Sequence, residues 1–199
     1  MIPVNLAIED ELSELVLRKI LSQMNRYAVG YAYRRGGFGY LRSTISRWNS
    51  AAKGTPFIVL TDLDRSECPA TLIKDWLMVP RHPNLIFRIA VREIEAWLLA
   101  DRSNFARFLS VPEKSMPFNV DELEDPKLTL IRIARTSKSS QIRERLTPKI
   151  GSTAKQGPDH NGRLGLFVQR HWDFETAKIE SPSLNRTLQR LITFKPVWK

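Results

Sequence analysis

Three features of this chain predict an α/β fold built on a mostly parallel sheet. Apolar runs of strand length alternate with helical stretches through the first half of the chain. Three of the four runs end abruptly in acidic residues. The remaining part is basic and reads as mainly helical. Repeated strand–helix order is the signature of parallel strands joined by helical crossovers, with helices flanking the sheet.

Val4-Asn5-Leu6-Ala7-Ile8 reads as a buried strand and stops at Glu9-Asp10-Glu11. Leu12, Leu15, Val16 and Ile20 follow at helical spacing, so the acids sit at a strand-to-helix junction. Tyr27 to Tyr33 alternates as a second strand, and Arg34-Arg35-Gly36-Gly37-Phe38-Gly39 is a flexible basic loop. Leu41 to Lys53 is a predicted helix. Pro56 to Thr61 is the clearest strand and runs into Asp62-Leu63-Asp64. Ala70 to Met78 is helical. Leu85 to Val91 is the fourth strand and runs into Arg92-Glu93-Ile94-Glu95, with Ala96 to Leu99 continuing as a helix. Ser110 to Lys127, rich in proline and acids, reads as a linker or surface excursion. Gly151 to Lys155 reads as a loop, and Leu164–Trp172 and Leu184–Phe194 as helices that present Arg163, Arg170, Arg186 and Arg190 outward.

Composition bounds the function. The chain has 199 residues, 42% of them hydrophobic, enough for one domain, or one domain with an appendage. Its single cysteine, Cys68, excludes a disulfide framework within the chain and fits a reducing compartment. No leader pattern and no long apolar run is read, so a cytoplasmic protein without a membrane partner is expected. Net charge is +10 and uneven: from Ile131 onward there are 14 Lys and Arg against 5 Asp and Glu. Such a surplus attracts polyanions, although a solvated, solubilising surface explains charge alone equally well.

Ligands of open α/β sheets bind at the carboxyl ends of the strands. Glu9, Asp62, Asp64 and Glu93 or Glu95 are therefore expected to converge there. Close carboxylates repel one another and take up protons unless a cation neutralises them. All-oxygen donors favour Mg²⁺ or Mn²⁺ over zinc. Singly, each acid is as well explained as a helix cap or first-turn residue.

An apolar strand ending in Glu9, then one ending in Asp62-x-Asp64, resembles the Toprim domain shared by topoisomerases, primases and the overcoming-lysogenization-defect nucleases. Ile89-Ala90-Val91-Arg92-Glu93-Ile94-Glu95-Ala96-Trp97-Leu98-Leu99-Ala100-Asp101 is similar to a family of small, stand-alone bacterial Toprim-like proteins. These are often encoded beside an ABC- or AAA-type ATPase in phage-defence loci. The resemblance covers residues 4 to 101 well, and continues loosely to Lys155 and to Ser181-Pro182-Ser183-Leu184. It implies a Toprim-like (Rossmann-like) catalytic core over residues 1–109, with residues 110–199 a basic extension packed on it. It implies that Glu9 is a metal ligand or general base, and that Asp62 and Asp64 hold metal. Glu95, with Glu93 beside it, matches the further acid of nuclease-type Toprims, and Lys155 a lysine that stabilises developing phosphoryl charge. One departure is Asp10, where many Toprims place glycine.

Candidate phosphate contacts are Arg92, Arg143, Arg145, Lys149, Lys155 and Arg163; Arg92 could equally pair with Glu95 or Asp64. Trp48, Trp76 and Trp97 read as core. Cys68, before Pro69 at a helix start, lacks any catalytic motif. The three histidines lack metal-ligand spacing, and His160 sits in a polar loop near Lys155. No phosphate-binding loop of the G-x-x-x-x-G-K type is present, so any ATP dependence falls to a partner. The expected function is a metal-dependent nuclease, or the nuclease subunit of an ATPase-coupled anti-phage complex. Its substrate is nucleic acid, with DNA placed ahead of RNA. The alternatives are a catalytically silent sensor or scaffold of the same fold, which binds nucleic acid or an ATPase, and a haloacid-dehalogenase-type phosphatase with Asp62 as nucleophile. The latter leaves the strand ending in Glu9 unexplained.

Overall fold

A computed structural model describes residues 1–198. Its sheet has four parallel strands, β1 (Ile2–Ile8), β2 (Tyr27–Tyr33), β3 (Phe57–Asp62) and β4 (Leu85–Ala90), in the order β2-β1-β3-β4. Helices α1 (Glu11–Met24), α2 (Gly37–Ala51) and α3 (Pro69–Trp76) form the crossovers. The fold is thus the helix-flanked α/β class that the alternating pattern predicts. Central strands β1 and β3 read as nearly continuous apolar runs because parallel sheets are covered on both faces; Leu6, Ala7, Ile8, Ile58, Val59 and Leu60 are fully buried. Trp48 and Trp76 are core residues on one side of the sheet, with Leu41, Ile45, Phe57 and Phe87.

Local chemistry sets the crossovers. The Asp10 carboxylate caps α1, accepting from the Ser13 amide at 2.8 Å, and Glu11 and Glu14 favour the helix amino end. Asn25 ends α1 in left-handed backbone, φ 51°. Cys68 caps α3 with Pro69 at its first position, which assigns the thiol a structural place.

The chain forms two compact units. One is Met1–Val91 together with the stretch from Arg186 onward; the other is Arg92–Asn185. The divisions fall elsewhere than at 109/110. In the first unit the carboxyl-terminal stretch is tied down by side chains. The Arg26 guanidinium donates to the Ile192 and Phe194 carbonyls, and Tyr27 donates to Leu191. Asn84 exchanges hydrogen bonds with the Val197 backbone at 2.9 and 2.8 Å.

The second unit is helical: α4 (Ile94–Leu99), α5 (Arg102–Leu109), α6 (Pro126–Arg135), α7 (Ser140–Leu146), α8 (His160–Arg170) and α9 (Phe174–Glu180). Helix α10 (Pro182–Thr193) begins in this unit. Trp97 is completely buried; its indole donates to Ser183 Oγ at 2.8 Å, and Trp172 donates to the Trp97 carbonyl at 3.1 Å. Phe105 and Phe167 pack at 4.4 Å between ring centroids. Asp101, also buried, accepts from the Asp173 amide at 2.8 Å.

The segment 110–127 is not a loose linker. Met116 and Val120 are buried, short 3-10 turns occupy Glu113–Ser115 and Val120–Glu122, and Asp121 accepts from Ser181 Oγ and the Ser183 amide, both at 2.7 Å. Proline and acids disguise a segment held by two apolar anchors and one carboxylate. Asp121→Ala strips acceptors from buried donors, so it is expected to cost about 2 kcal/mol. Thermal unfolding reads this as a fall of roughly 4–8 °C in Tm; an unchanged Tm would mean that another acceptor replaces the carboxylate.

Candidate functional site

The carboxyl edge of the sheet gathers acids because of strand register. Ile8 pairs with Leu60, and Asp62 with Ala90, so the residue after β1 meets the end of β3. There the Thr61 hydroxyl donates to Glu9 Oε2 at 3.0 Å and the Asp62 amide approaches the same oxygen at 3.4 Å. Glu9 and Asp62 are half-buried and Asp64 is exposed. The ladder runs one bond further, from the Leu63 amide to Ala90 O at 2.9 Å. The chain then turns, with Asp64 in left-handed backbone at φ 48°, a conformation that aspartate tolerates better than most residues.

Burial pushes the Glu9 carboxyl above its ordinary pKa; the Thr61 and Asp62 hydrogen bonds pull it back, and the charges of Asp64 and Asp10 push it up again. The edge therefore has donors only partly compensating crowded acids. Those all-oxygen groups suit a magnesium-type ion, which is commonly held by one or two carboxylates with water and substrate phosphate completing its shell. A cage made wholly of protein ligands is not formed: among the described residues no three His, Cys, Asp or Glu side chains converge closely enough to hold a metal.

The acids after β4 belong to a different environment, inside the second unit. Glu93 occupies the N-cap position of α4, and its Oε2 accepts from the Lys127 amide at 2.8 Å. Glu95 is buried, its side chain only 3% exposed. Lys127 Nζ stands 3.4 Å from Glu95 Oε1 and 3.8 Å from Glu93 Oε1. The His160 Nε2 lies 3.6 Å from that same Glu95 oxygen, and its Nδ1 lies 3.4 Å from the Leu146 carbonyl. Burial alone would raise the Glu95 pKa, but the His160 ring and the Lys127 charge outweigh it and hold the carboxyl below its usual range. For Glu93 burial dominates and the shift is upward. Glu95 is thus committed to a cation and an imidazole. Nothing in its spacing to Lys127 or His160 advertises this; only the folded helices bring them together.

The predicted phosphate contacts divide. Arg143 is engaged within its own unit, donating to the Ser137 carbonyl. Arg163 pairs with Asp159 at 3.4 Å. Exposed Arg145 and Lys149 line a groove of about 460 Å³ with Arg143 and Pro158, and remain available to an anion. Lys155 is exposed in the segment between α7 and α8, outside that groove's lining. Arg92 is half-buried with φ 60°. Sequence reasoning missed Arg88, inside β4: burial, together with the charges of Arg186, Arg81 and Arg190, lowers its pKa to about 10. A charge interrupting an otherwise apolar strand was the available signal.

Lys127→Met is expected to destabilise by about 1–2 kcal/mol, less than for a fully buried pair because the lysine is one-third exposed. Pairing it with Glu95→Gln should restore part of the loss. A double-mutant cycle by denaturant unfolding checks this, and strict additivity would dissolve the coupling.

No curated protein and no solved structure matches the chain. A domain of unknown function, DUF4276, matches residues 9–192, from Glu9 to within α10. The match spans both units and most of the chain, so the protein belongs to the DUF4276 family.

Proposed function

We propose that the protein is a metal-dependent phosphodiester hydrolase: a nuclease, or the nuclease subunit of an ATPase-coupled anti-phage complex. The observation that carries this reading is the crowded acid edge, with Glu9 held against Thr61 and Asp62 and under the charges of Asp64 and Asp10. Glu9, Asp62 and Asp64 would hold Mg²⁺ or Mn²⁺. Such an ion supplies charge stabilisation at a phosphoryl oxygen and acidifies water. Thr61 and the Asp62 amide both use Glu9 Oε2, which orients the carboxylate and keeps Oε1 for a cation or a proton. Where Asp62 and Asp64 alone hold the ion, Glu9 would instead be the group that accepts a proton during hydrolysis. Within the second unit, exposed Arg145 and Lys149 would offer charge to a phosphate, a contact that positions without reading sequence. The Toprim resemblance supports the chemistry and suggests the ATPase partner, with DNA placed ahead of RNA.

One observation favours a second reading, a silent sensor or scaffold: Asp10 is committed to capping α1 and Glu95 to Lys127 and His160, which leaves fewer acids to hold an ion. Cleavage of plasmid and single-stranded DNA in Mg²⁺ or Mn²⁺ separates the two, with EDTA and Asp62→Ala as controls and with and without the ATPase encoded beside it. The nuclease reading expects Asp62→Ala to reduce cutting at least ~100-fold, since even groups behind metal ligands contribute 10- to 100-fold. Cutting by neither the chain nor the complex would leave the scaffold.

Glu9 also makes a stability prediction. Its folded pKa lies above the unfolded value, so its favourable contribution is present at low pH and is lost as pH rises through the folded value. Glu9→Gln should therefore raise Tm at neutral pH and leave it unchanged at pH below the ordinary carboxylate range. Mg²⁺ should raise the Tm of the native protein and not of the variant; a Tm of Glu9→Gln below native at neutral pH would contradict the assignment.

A further inference from the structure

A groove of about 530 Å³ lies at the carboxyl end of edge strand β2, lined by Tyr31, Tyr33, Tyr40, Arg34, Arg35 and Glu14. That volume is within the range of small-ligand sites. The geometry points to a nucleobase-and-phosphate subsite for single-stranded nucleic acid, an inference that rests on the nucleic-acid reading of the acid edge beside it.

The groove is made by an irregularity in the sheet. Val4 pairs with Val29 but Leu6 with Ala32, so β2 carries one extra residue opposite Asn5. Asn5 fills the resulting bulge: its Oδ1 accepts from the Tyr31 amide at 2.9 Å. At Gly30 a Cβ would stand 2.7 Å from that oxygen, so a larger residue would have to turn the Asn5 side chain out of the bulge. Bulges re-aim side chains, and this one leaves Tyr31 75% exposed on an edge strand. Edge strands are normally blunted with charge, so a large exposed aromatic on one calls for a partner.

Tyr31 is also supported from below. Its ring lies 6.4 Å from that of Tyr33, which is stacked on Phe57 at 6.0 Å and stands 6.4 Å from Trp48. Tyr40 meets Trp48 edge-on at 5.6 Å. The result is a braced aromatic platform rather than a loose side chain. Two arginines adjoin it with different commitments. Arg34 lies 3.8 Å from Glu11 and 3.7 Å from Glu14. Arg35 is exposed and has no carboxylate within ion-pair distance among the described residues.

Tyr31 therefore offers a face for a base and Arg35 a charge for the adjoining phosphate. Stacking on an aromatic requires an unpaired base, which selects single strands over duplex. The groove also lies where a strand bound at the acid edge would continue: Ala7, two residues before Glu9, pairs with Tyr33.

Fluorescence anisotropy of a labelled 12-nucleotide single strand, measured in EDTA so that no cutting occurs, tests the subsite. Tyr31→Ala should weaken binding about tenfold and Tyr31→Phe by no more than about twofold, the pattern of one stacked base. Arg35→Glu should weaken it by about tenfold or more and flatten the salt dependence. Both positions are exposed, and unchanged Tm values would exclude misfolding. Tyr31→Ala and Arg35→Glu binding as tightly as native would overturn the subsite while leaving the nuclease reading to its own cleavage assay. Displacement by a free mononucleotide as effective as by the oligonucleotide, or equal Tyr31-dependent binding of duplex, would overturn the single-strand assignment. No binding of any nucleic acid would sink both readings, whereas Tyr31-dependent binding without metal-dependent cutting would sink only the nuclease.

Discussion

The hydrogen-bonded register of β1 against β3 is the constraint on which the first unit depends. Asn5 faces Phe57 and Ile8 faces Leu60, so both apolar runs bury their side chains in step and both expire at the same edge. A slip of one residue would turn every side chain of β1 to the opposite face. It would also detach Glu9 from Thr61 and from the Asp62 amide. The core and the acid edge are thus specified by one set of backbone bonds. Hydrophobic burial, the dominant favourable term in folding, holds acids together that would separate if left to their own electrostatics.

Two groups of acids in this chain resolve their repulsion differently. Glu95 is buried but meets Lys127 and His160, and its carboxyl is held below its ordinary range. Removing a partner from such an arrangement is damaging, which is the behaviour of a structural ion pair. Glu9 has only neutral donors and the charges of Asp64 and Asp10, and its pKa is raised. Crowded carboxylates of this kind lower their mutual repulsion by taking up a proton or a cation. The basic groups follow the same logic in reverse: Arg88 is surrounded by Arg186, Arg81 and Arg190, a local excess of positive charge that suits an anionic partner.

The sequence was most legible where local and global signals coincide. The strand Tyr27–Tyr33 was read to the residue, and β1, β3 and β4 to within two residues at each end, because parallel strands are continuous apolar runs bounded by charge. Trp48, Trp76 and Trp97 are buried as expected. Legibility failed where distant segments meet. Lys127 lies in what read as the end of a linker, and His160 in what read as a polar loop, yet both stand on Glu95. The extra residue in β2 was equally hidden, since Gly30-Tyr31 alternates normally in sequence and only pairing with β1 exposes the mismatch. Composition misled in 110–127, where Met116, Val120 and Asp121 do the anchoring amid proline and acids.

Backbone strain adds an independent line. Among the described residues, five non-glycine residues have positive φ. Asn25 and Ser110 end helices and Asn119 starts a short turn, the usual places for such conformations. Asp64 and Arg92 are different: each lies two residues beyond the last residue of a strand, at φ 48° and 60°. Arginine has no special tolerance of that region, and a residue held there costs of the order of 1–3 kcal/mol. No helix cap or hairpin accounts for Arg92, so the strain is sustained by the fold where β4 gives way to Glu93 and Glu95. At the ends of β3 and β4 regular parallel pairing thus gives way to backbone that the surrounding structure must hold in place.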